Sequence, residues 1–440
     1  MLEKPIDRRL RIPKVINPTR SVTTIESSDL QLLVMTQFFP PDFAATGQLI
    51  DELVGQLGIQ GTNVSVFTGQ PEYAFQKGNA PEVEKKGRVL VKRSRMTQLF
   101  PSRIRGKAIS GLLFAISSIF HIAKQAKQYQ VLLVTTDPPF LPVIGYFANL
   151  FLKLPYVCLL YDLYPDIAIE LNVVTATHPN ARMWQLINRQ IWKRSAGIIV
   201  LSDSMKSRII AHCPDVADKI SVIHSWSNDE QIIPISKSDN WFAKEHILDA
   251  QFVVLYSGNM GRCHDIDTLF QAALKLKEHP ILFVCIGDGA KRSKLKEKVT
   301  AHGLTSFRFL PYQEKSVLPY SLTSGDVSLV SIAPGMESLV APSKLYPAMA
   351  AGRPIAAICP PGSYLTQLLR SAQNGTTFDN GDASSLAYYI LYLFHHQDEA
   401  KRLGELGRQY MRANFTPKIT SKQYLHVLKT ACKDICKTKH

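Results

Sequence analysis

Two successive series of strand and helix signals predict an α/β protein built from two doubly wound, Rossmann-like domains that face each other. Three observations carry this expectation. Short apolar runs without charge recur through both halves, as buried parallel strands require. Gly, Pro and Asp cluster where such runs end, which is how a strand turns into a helix. A polar, mixed stretch over 229–250 separates the two series and suits a linker with one helix. The 440 residues suffice for about two to three domains, each with its own core.

In the first half, residues 1–29 are polar and basic with Pro5, Pro13 and Pro18, and read as a flexible tail without the apolar core of a secretory signal. Leu30–Thr36 reads as a buried strand. A loop through Ala44-Ala45 to Gly47, a helix over Gln48–Leu57 and a strand at Asn63–Thr68 complete one unit. Gly69–Gly87 reads as an excursion, followed by a strand at Val89–Val91. Further strands are expected at Val131–Thr135, ending on Asp137, and at Pro155–Leu160, ending on Asp162. Helices over Met183–Arg194 and Ser204–His212 flank a strand at Gly197–Ser202, and Ile220–His224 closes the sheet.

The second half repeats the order. Phe252–Tyr256 is a strand, Gly258–His264 a glycine loop and Ile266–Leu276 a helix. Strands follow at Ile281–Ile286, Arg308–Pro311, Asp326–Ile332, Ile355–Cys359 and Gly375–Phe378, with Gly287-Asp-Gly289 after the first of them. Asp398–His440 is helical by pattern and interrupted at Phe415-Thr-Pro417.

Charge is uneven. The net charge is +15, and residues 85–107 hold Lys85, Lys86, Arg88, Lys92, Arg93, Arg95, Arg103, Arg105 and Lys107 with no acid. Two interrupted apolar runs follow, Ile109–Ala123 and Phe140–Tyr161, neither a clean membrane span. Basic beside apolar residues predicts peripheral contact with anionic headgroups through 85–123; a solvated face beside buried helices fits the same residues. No nucleic-acid motif accompanies the charge, so no nucleic-acid partner is expected. The seven cysteines show no metal-ligand pairing, which suits a reducing cytoplasm, at the inner face of the membrane if the contact holds.

The most informative stretch is Ala341–Ala356, a short helix expected to be capped by Ser343, stopped by Gly352 and followed through Pro354 by a strand. Pro347 is expected to leave the amides of Lys344, Leu345 and Tyr346 without intrahelical partners. Free amides, a helix dipole and Lys344 suit an anion. An ordinary helix start with a solvated lysine suits the same residues.

The run Pro342-Ser-Lys-Leu-Tyr with Met349-Ala-Ala-Gly-Arg-Pro354, and Gly258-Asn-Met-Gly261 upstream, resembles the nucleotide-sugar site of GT-B glycosyltransferases of family 4. It is closest to the bacterial exopolysaccharide and O-antigen branch with a Pro-Ser-Lys motif, and covers residues from about 30 to 430. The resemblance implies an N-terminal acceptor domain over 30–228, a nucleotide-sugar domain over 229–415 and a final helix, 416–440, that packs back on the first. It implies a retaining, metal-independent transfer of a hexosyl or N-acetylhexosaminyl group from a nucleoside-diphosphate sugar, without a cofactor, to a glycan or polyprenyl-diphosphate-linked acceptor. His224–Asn228 would floor the cleft.

The site departs from the family pattern. The usual glycine pair of the first loop is Ala44-Ala45, with Gly47 two residues on. The usual Arg and Lys of the second glycine loop are Asn259 and His264, with Arg262 as the substitute cation beside Gly261. Pro347 and Leu339 replace two glutamates, leaving Glu337 for the sugar and Ser343, Lys344 and Leu345 for the phosphates. Gly287, Asp288 and Tyr312 would frame the base. Asp162 would receive or orient the acceptor hydroxyl's proton, although a carboxylate after a strand is also a common helix cap; Asp137 takes no transferred role. The only Asp-x-Asp, Asp265-Ile-Asp267, opens a helix and reads as caps, so no metal is expected. A nucleotide-sugar epimerase of the same fold, or a non-catalytic membrane partner, stays compatible with these residues.

Overall fold

The computed structural model describes residues 29–42, 44–71, 80–95 and 104–437, apart from the side chains of 104–108 and 434–437. The expected tail lies outside the described residues except for Asp29. The first half holds β1 (Gln31–Met35), α1 (Ala45–Ile59), β2 (Asn63–Thr68), β3 (Val83–Lys86), β4 (Val89–Arg93), α2 (Ile104–Gln125), β5 (Val131–Thr135) and α3 (Pro142–Leu152). β6 (Tyr156–Leu160), α4 (Asp166–Glu170), α5 (Pro179–Arg194), β7 (Gly197–Val200), α6 (Asp203–His212) and β8 (Ile220–Val222) complete it. The strands form one sheet in the order β3-β4-β2-β1-β5-β6-β7-β8. All pairs are parallel except β3 with β4.

After a linker containing α7 (Trp241–Glu245) come β9 (Phe252–Ser257), α8 (Asp267–Lys275), β10 (Ile281–Ile286), α9 (Arg292–Ala301), β11 (Phe307–Leu310), α10 (Leu318–Thr323) and β12 (Val327–Ser331). α11 (Leu345–Ala350), β13 (Ile355–Ile358), α12 (Tyr364–Ala372), β14 (Gly375–Phe378), α13 (Ala383–His395), α14 (Gln397–Asn414) and α15 (Pro417–Lys437) finish the chain. Their sheet is wholly parallel, in the order β11-β10-β9-β12-β13-β14. Each sheet reverses direction once, at β1/β5 and at β9/β12, and such switch points open the crevices in which α/β proteins bind ligands.

The strands follow from composition. β5, β6 and β12 are buried at every position, so their apolar runs need not alternate. β3 was not expected, because Val83-Glu-Lys-Lys86 carries the charge of a loop; as an edge strand it exposes most of those side chains to water. α1 begins at Ala45, three residues before the expected start, so Ala45 and Gly47 lie in the helix and not in the loop from β1. Its buried face is Gly47, Ile50, Leu53, Val54 and Leu57.

Within 85–95, four of the six cations of the basic block are paired with nearby acids. Arg88 pairs with Asp29 at 2.7 Å, Lys86 and the buried Arg93 each pair with Glu84 at 2.9 Å, and Arg95 pairs with Glu82. Residues 96–103 of that block lie outside the described residues.

The C-terminal helices join the halves. Phe415 and Thr416 break the helical run, and α15 starts on Pro417 and crosses onto α1, β5, β6 and β7 of the first sheet. Gln60 donates to Ser421 Oγ at 2.6 Å, and Tyr424 meets Trp226 edge-on at 6.0 Å. α14 approaches the turn after α11 backbone to backbone: a Cβ on Gly404 would lie 2.0 Å from the Gly352 carbonyl oxygen. Gly404→Ala is therefore expected to lower stability by about 2 kcal/mol or more. Gly55 in α1 faces open space, and Gly55→Ala is expected to raise stability by about 0.5–1 kcal/mol. Urea titrations of the two variants read both signs.

Candidate functional site

The two switch points open onto one cavity of about 230 Å³ between the halves. From the first half α1 contributes Ala45, Gln48 and Glu52, and the chain leaving β8 contributes Trp226, Ser227 and Asn228 as its floor. From the second come Gly258 after β9, Tyr312 after β11, and Ser343, Lys344 and Pro347 at the start of α11. α10 adds Leu318, Pro319 and Leu322, which make one wall apolar.

Two lysines line this cavity, Lys315, which pairs with Glu52, and Lys344. Lys344 Nζ donates to Tyr256 Oη at 2.6 Å and to the Asn259 carbonyl at 3.1 Å, and lies 4.1 Å from the centre of the Tyr256 ring. Tyr256 Oη in turn donates to the Asn259 carbonyl at 3.0 Å. Among the described residues Lys344 has no carboxylate partner, and burial pulls its ammonium down to about 7. A lysine held by neutral acceptors and an aromatic face in a partly desolvated place is a site that an anion would stabilise.

Backbone geometry brings the glycine loops against this lysine. Gly287 has φ 123°, and a Cβ there would stand 2.4 Å from the Gly258 carbonyl oxygen, so only glycine allows the loops after β9 and β10 to touch. Asp288 closes that contact: its carbonyl accepts from the Met260 amide at 2.8 Å and from Tyr312 Oη at 3.4 Å. Asn259 is exposed, with its carboxamide beside Gly261 and Gly289.

Several expected contacts are not made as read. Ser343 does not cap α11; Lys344 occupies the cap position and no side chain caps the helix. The amides of Leu345 and Tyr346 are not free, since they reach the carbonyls of Pro342 at 3.3 Å and Ser343 at 3.4 Å in tight turns. The Leu345 side chain is fully buried in the core. Gly47 lies inside α1, where a Cβ would meet the Phe38 backbone at 3.0 Å, so it serves packing and does not line the cavity. His264 is a neutral ring: Nδ1 lies 2.8 Å from the Ser331 carbonyl, and burial, then Lys344, push it down to about 3. Arg262 is exposed and without an ion pair among the described residues. Asp265 accepts from the Thr268 amide at 3.0 Å and Asp267 pairs with Lys298, so both carboxylates are engaged as a cap and an ion pair.

Two of the expected acidic residues, Asp162 and Glu337, lie where the halves touch and not among the residues that line the cavity. Asp162 makes an antiparallel bridge with Val340, and the Leu163 amide donates to the Leu339 carbonyl at 3.3 Å. Burial first, and then the Asp137 carboxylate on the neighbouring strand end, push the Asp162 carboxyl up to about 7. Burial also raises Asp137, against a hydrogen bond from Thr46. Glu337 belongs to the loop that Asp162 touches; its carbonyl accepts from Ser204 Oγ at 3.0 Å, and its Oε2 is buried without a hydrogen-bond partner among the described residues.

Sequence reasoning missed one polar clasp. Glu52 accepts from Lys315 Nζ at 3.0 Å and from Trp226 Nε1 at 3.1 Å, joining α1, the second half and the crossover chain at the cavity. The only local signal is the polar stripe Gln48 and Glu52 on an otherwise apolar helix face.

The chain matches known proteins along most of its length. The Glycosyltransferase Family 4 profile matches residues 46–231, and the Glycosyl transferases group 1 profile matches residues 237–410. The probable glycosyltransferase WbjE of Pseudomonas aeruginosa is 22% identical over 326 residues, 73% of this chain and 80% of that protein. WcaI of Escherichia coli (strain K12), described as a colanic acid biosynthesis glycosyl transferase, is 24% identical over 336 residues, 73% of this chain and 82% of its own. Among solved structures, Anabaena HepE in complex with UDP-glucose superposes with a TM-score of 0.67 at 15% identity, over 91% of this chain and 100% of that one.

Asp162, at the contact between the halves, links burial to stability. Its folded pKa stands above the ordinary 3.8, so the carboxyl keeps its proton in the folded protein and loses it in the unfolded one between about pH 4 and 7. Stability contributed by the protonated group is complete below pH 4 and lost as pH rises through 7. Asp162→Asn is therefore expected to gain on the wild type by about 3 kcal/mol between pH 4.5 and pH 8. Urea unfolding at both pH values measures it; a gap independent of pH would contradict the buried, proton-holding carboxyl.

Proposed function

Starting from a chain that belongs to the GT-B glycosyltransferases, its first half of family 4 and its second of group 1, we propose a retaining, metal-independent transfer of a sugar from a nucleoside diphosphate to a glycan acceptor. Lys344 carries this reading. It is a cation without a carboxylate, set in the cavity beside Ser343 and the close-packed glycine loops, where a diphosphate would find positive charge and little water. As the bond from the sugar C1 to the diphosphate oxygen breaks, negative charge grows on that oxygen, and the nearby ammonium lowers the barrier. The acceptor hydroxyl forms the new bond to C1 on the same face, and its proton passes to Asp162, whose carboxylate also orients it.

The remaining residues take supporting roles. Tyr312 and the apolar wall of α10 receive the base, and Glu337, with an unsatisfied buried oxygen, receives a sugar hydroxyl. Arg262, exposed and without an ion pair among the described residues, is placed to close on the phosphates. Metal independence is supported by the engagement of Asp265 and Asp267 elsewhere. The acceptor domain is 30–228 and the donor domain 229–415, with 416–440 returning to the first. The relatives' names support a surface polysaccharide as product, hence a lipid-linked glycan acceptor at the cytoplasmic face of the membrane.

Thermal shifts with UDP, GDP and their sugars test this, with UDP-glucose first because HepE binds it. One nucleotide diphosphate is expected to stabilise the protein by about 2–3 kcal/mol at a hundredfold excess over its Kd. Lys344→Ala should abolish the shift and Arg262→Ala weaken it. Because Lys344 titrates near 7 in the free protein, binding takes up a proton and should weaken as pH rises from 7 to 9, by up to about tenfold per unit. Calorimetric titrations check the slope, which Lys344→Ala removes. Stabilisation without turnover on any acceptor would point to a non-catalytic partner.

A further inference from the structure

The transfer reaction leaves the most apolar part of the surface unused. α2, α3 and α5 lie side by side on the first sheet, α3 touching both of the others. Each turns an apolar stripe outward. On α2, Leu112, Ile119 and Phe120 are 57%, 52% and 61% exposed, one helical face apart from the buried Phe114, Ser118 and Ile122. Phe151 on α3 is 72% exposed, and Met183 and Leu186 on α5 are 57% and 59% exposed. Residues 109–128 are long and apolar enough to cross a bilayer, yet one side of α2 packs into the core, so the helix lies along the protein surface. A contiguous exposed apolar face of this kind marks a contact.

Charge names the occupant. The 22, 11 and 16 residues of the three helices contain no Asp or Glu. Exposed cations border the stripes: Lys124 in the last turn of α2 and Lys127 after it, Lys153 after α3, Arg182 and Arg189 on α5, none with an ion pair among the described residues. The arginines and lysines of 85–95, by contrast, are mostly paired within their hairpin. Lys193 at the end of α5 pairs with Asp215, but apolar side chains flanked by the other, unpaired cations, on helices without an acid of their own, complement acyl chains beneath anionic headgroups. The face also borders the acidic side of the cleft. A Cβ on Gly111 of α2 would stand 3.3 Å from the Phe140 ring and 3.5 Å from Pro138, in the loop that carries Asp137.

We propose that the α2–α3–α5 face seats this protein on an anionic lipid bilayer, with the acceptor side of the cleft at the edge of the contact. The purpose of the contact rests on the glycosyltransferase reading; the contact itself does not.

Flotation of the full chain with vesicles of phosphatidylcholine, alone or mixed with phosphatidylglycerol, tests it. The wild type is expected to float with the mixed vesicles at least about tenfold more than with neutral ones. Leu112→Ser/Phe120→Ser/Phe151→Ser should lose flotation by about tenfold while keeping the wild-type melting temperature, since all three side chains are exposed. Arg182→Glu/Arg189→Glu should lose the preference for phosphatidylglycerol. Equal flotation with both vesicles, no flotation, or an unaffected triple variant would overturn the proposal. So would a wild-type dimer that the triple substitution converts to monomer, which would assign the face to a second copy of the chain. UDP thermal shifts on the same samples separate the two readings: flotation without any nucleotide shift removes the donor site and leaves the face, and a nucleotide shift without flotation does the reverse.

Discussion

The cleft exists because a short crossover is held rigidly between two sheets. Arg408 on α14 donates to the carbonyls of Asp229 at 3.0 Å and Ile232 at 2.7 Å in the crossover, and to that of Ala350 at the end of α11. One guanidinium thus satisfies three backbone acceptors that no strand or helix partner reaches, and it does so with charge-assisted bonds. The same helix presses Gly404 onto the Gly352 carbonyl and Gly407 onto Asn374. The start of α11, with Lys344, is therefore fixed relative to the chain that leaves the first sheet. α15 then returns to the first sheet and packs against α1, whose Gln48 and Glu52 form the opposite side of the cavity.

Within that frame the electrostatics are arranged by burial. Lys344 and Asp162 are both brought to about 7, the lysine downward and the carboxyl upward. Desolvation disfavours the charged form of each, and neither has an opposite charge to offset it. Contrast Asp166, close by in sequence, where His212 at 2.7 Å and Arg208 at 2.8 Å hold the carboxyl down at about 2 despite its burial. Asp166 has its opposite charges in place; Lys344 and Asp162 have none among the described residues. The clasp of Glu52 with Lys315 and Trp226 shows the third case, charges already satisfied across the cleft.

The surface divides along the same line. Where cations have nearby acids, as in the β3–β4 hairpin, the basic run is an ordinary solvated face. Lys124, Lys127, Lys153, Arg182 and Arg189, beside exposed apolar helices without an acid of their own, have no ion pair among the described residues. The sequence pattern, basic residues before an apolar stretch, does not distinguish these two, because pairing depends on which strand folds beside which.

Much of the architecture was legible from residues alone. The strands at Val131–Thr135 and Ile281–Ile286 coincide with their apolar runs to the residue, since a strand buried on both faces excludes charge throughout its length. Gly352 stops α11 as read, at φ 67°, and Trp226 to Asn228 floor the cavity. Lys344, Ser343 and Tyr312 were found from their motifs and stand in the cavity. What the sequence could not decide was direction. Leu345 turns into the core, Gly47 into a helix contact and His264 toward a backbone carbonyl, although each sits within a few residues of the site. The Glu52–Lys315 pair spans 263 positions, and only the docking of α1 against the second half brings it together. Apolar runs and turn residues are local properties written along the chain; burial, orientation and pairing of charges are properties of what packs beside them, and those appear only when the two sheets meet.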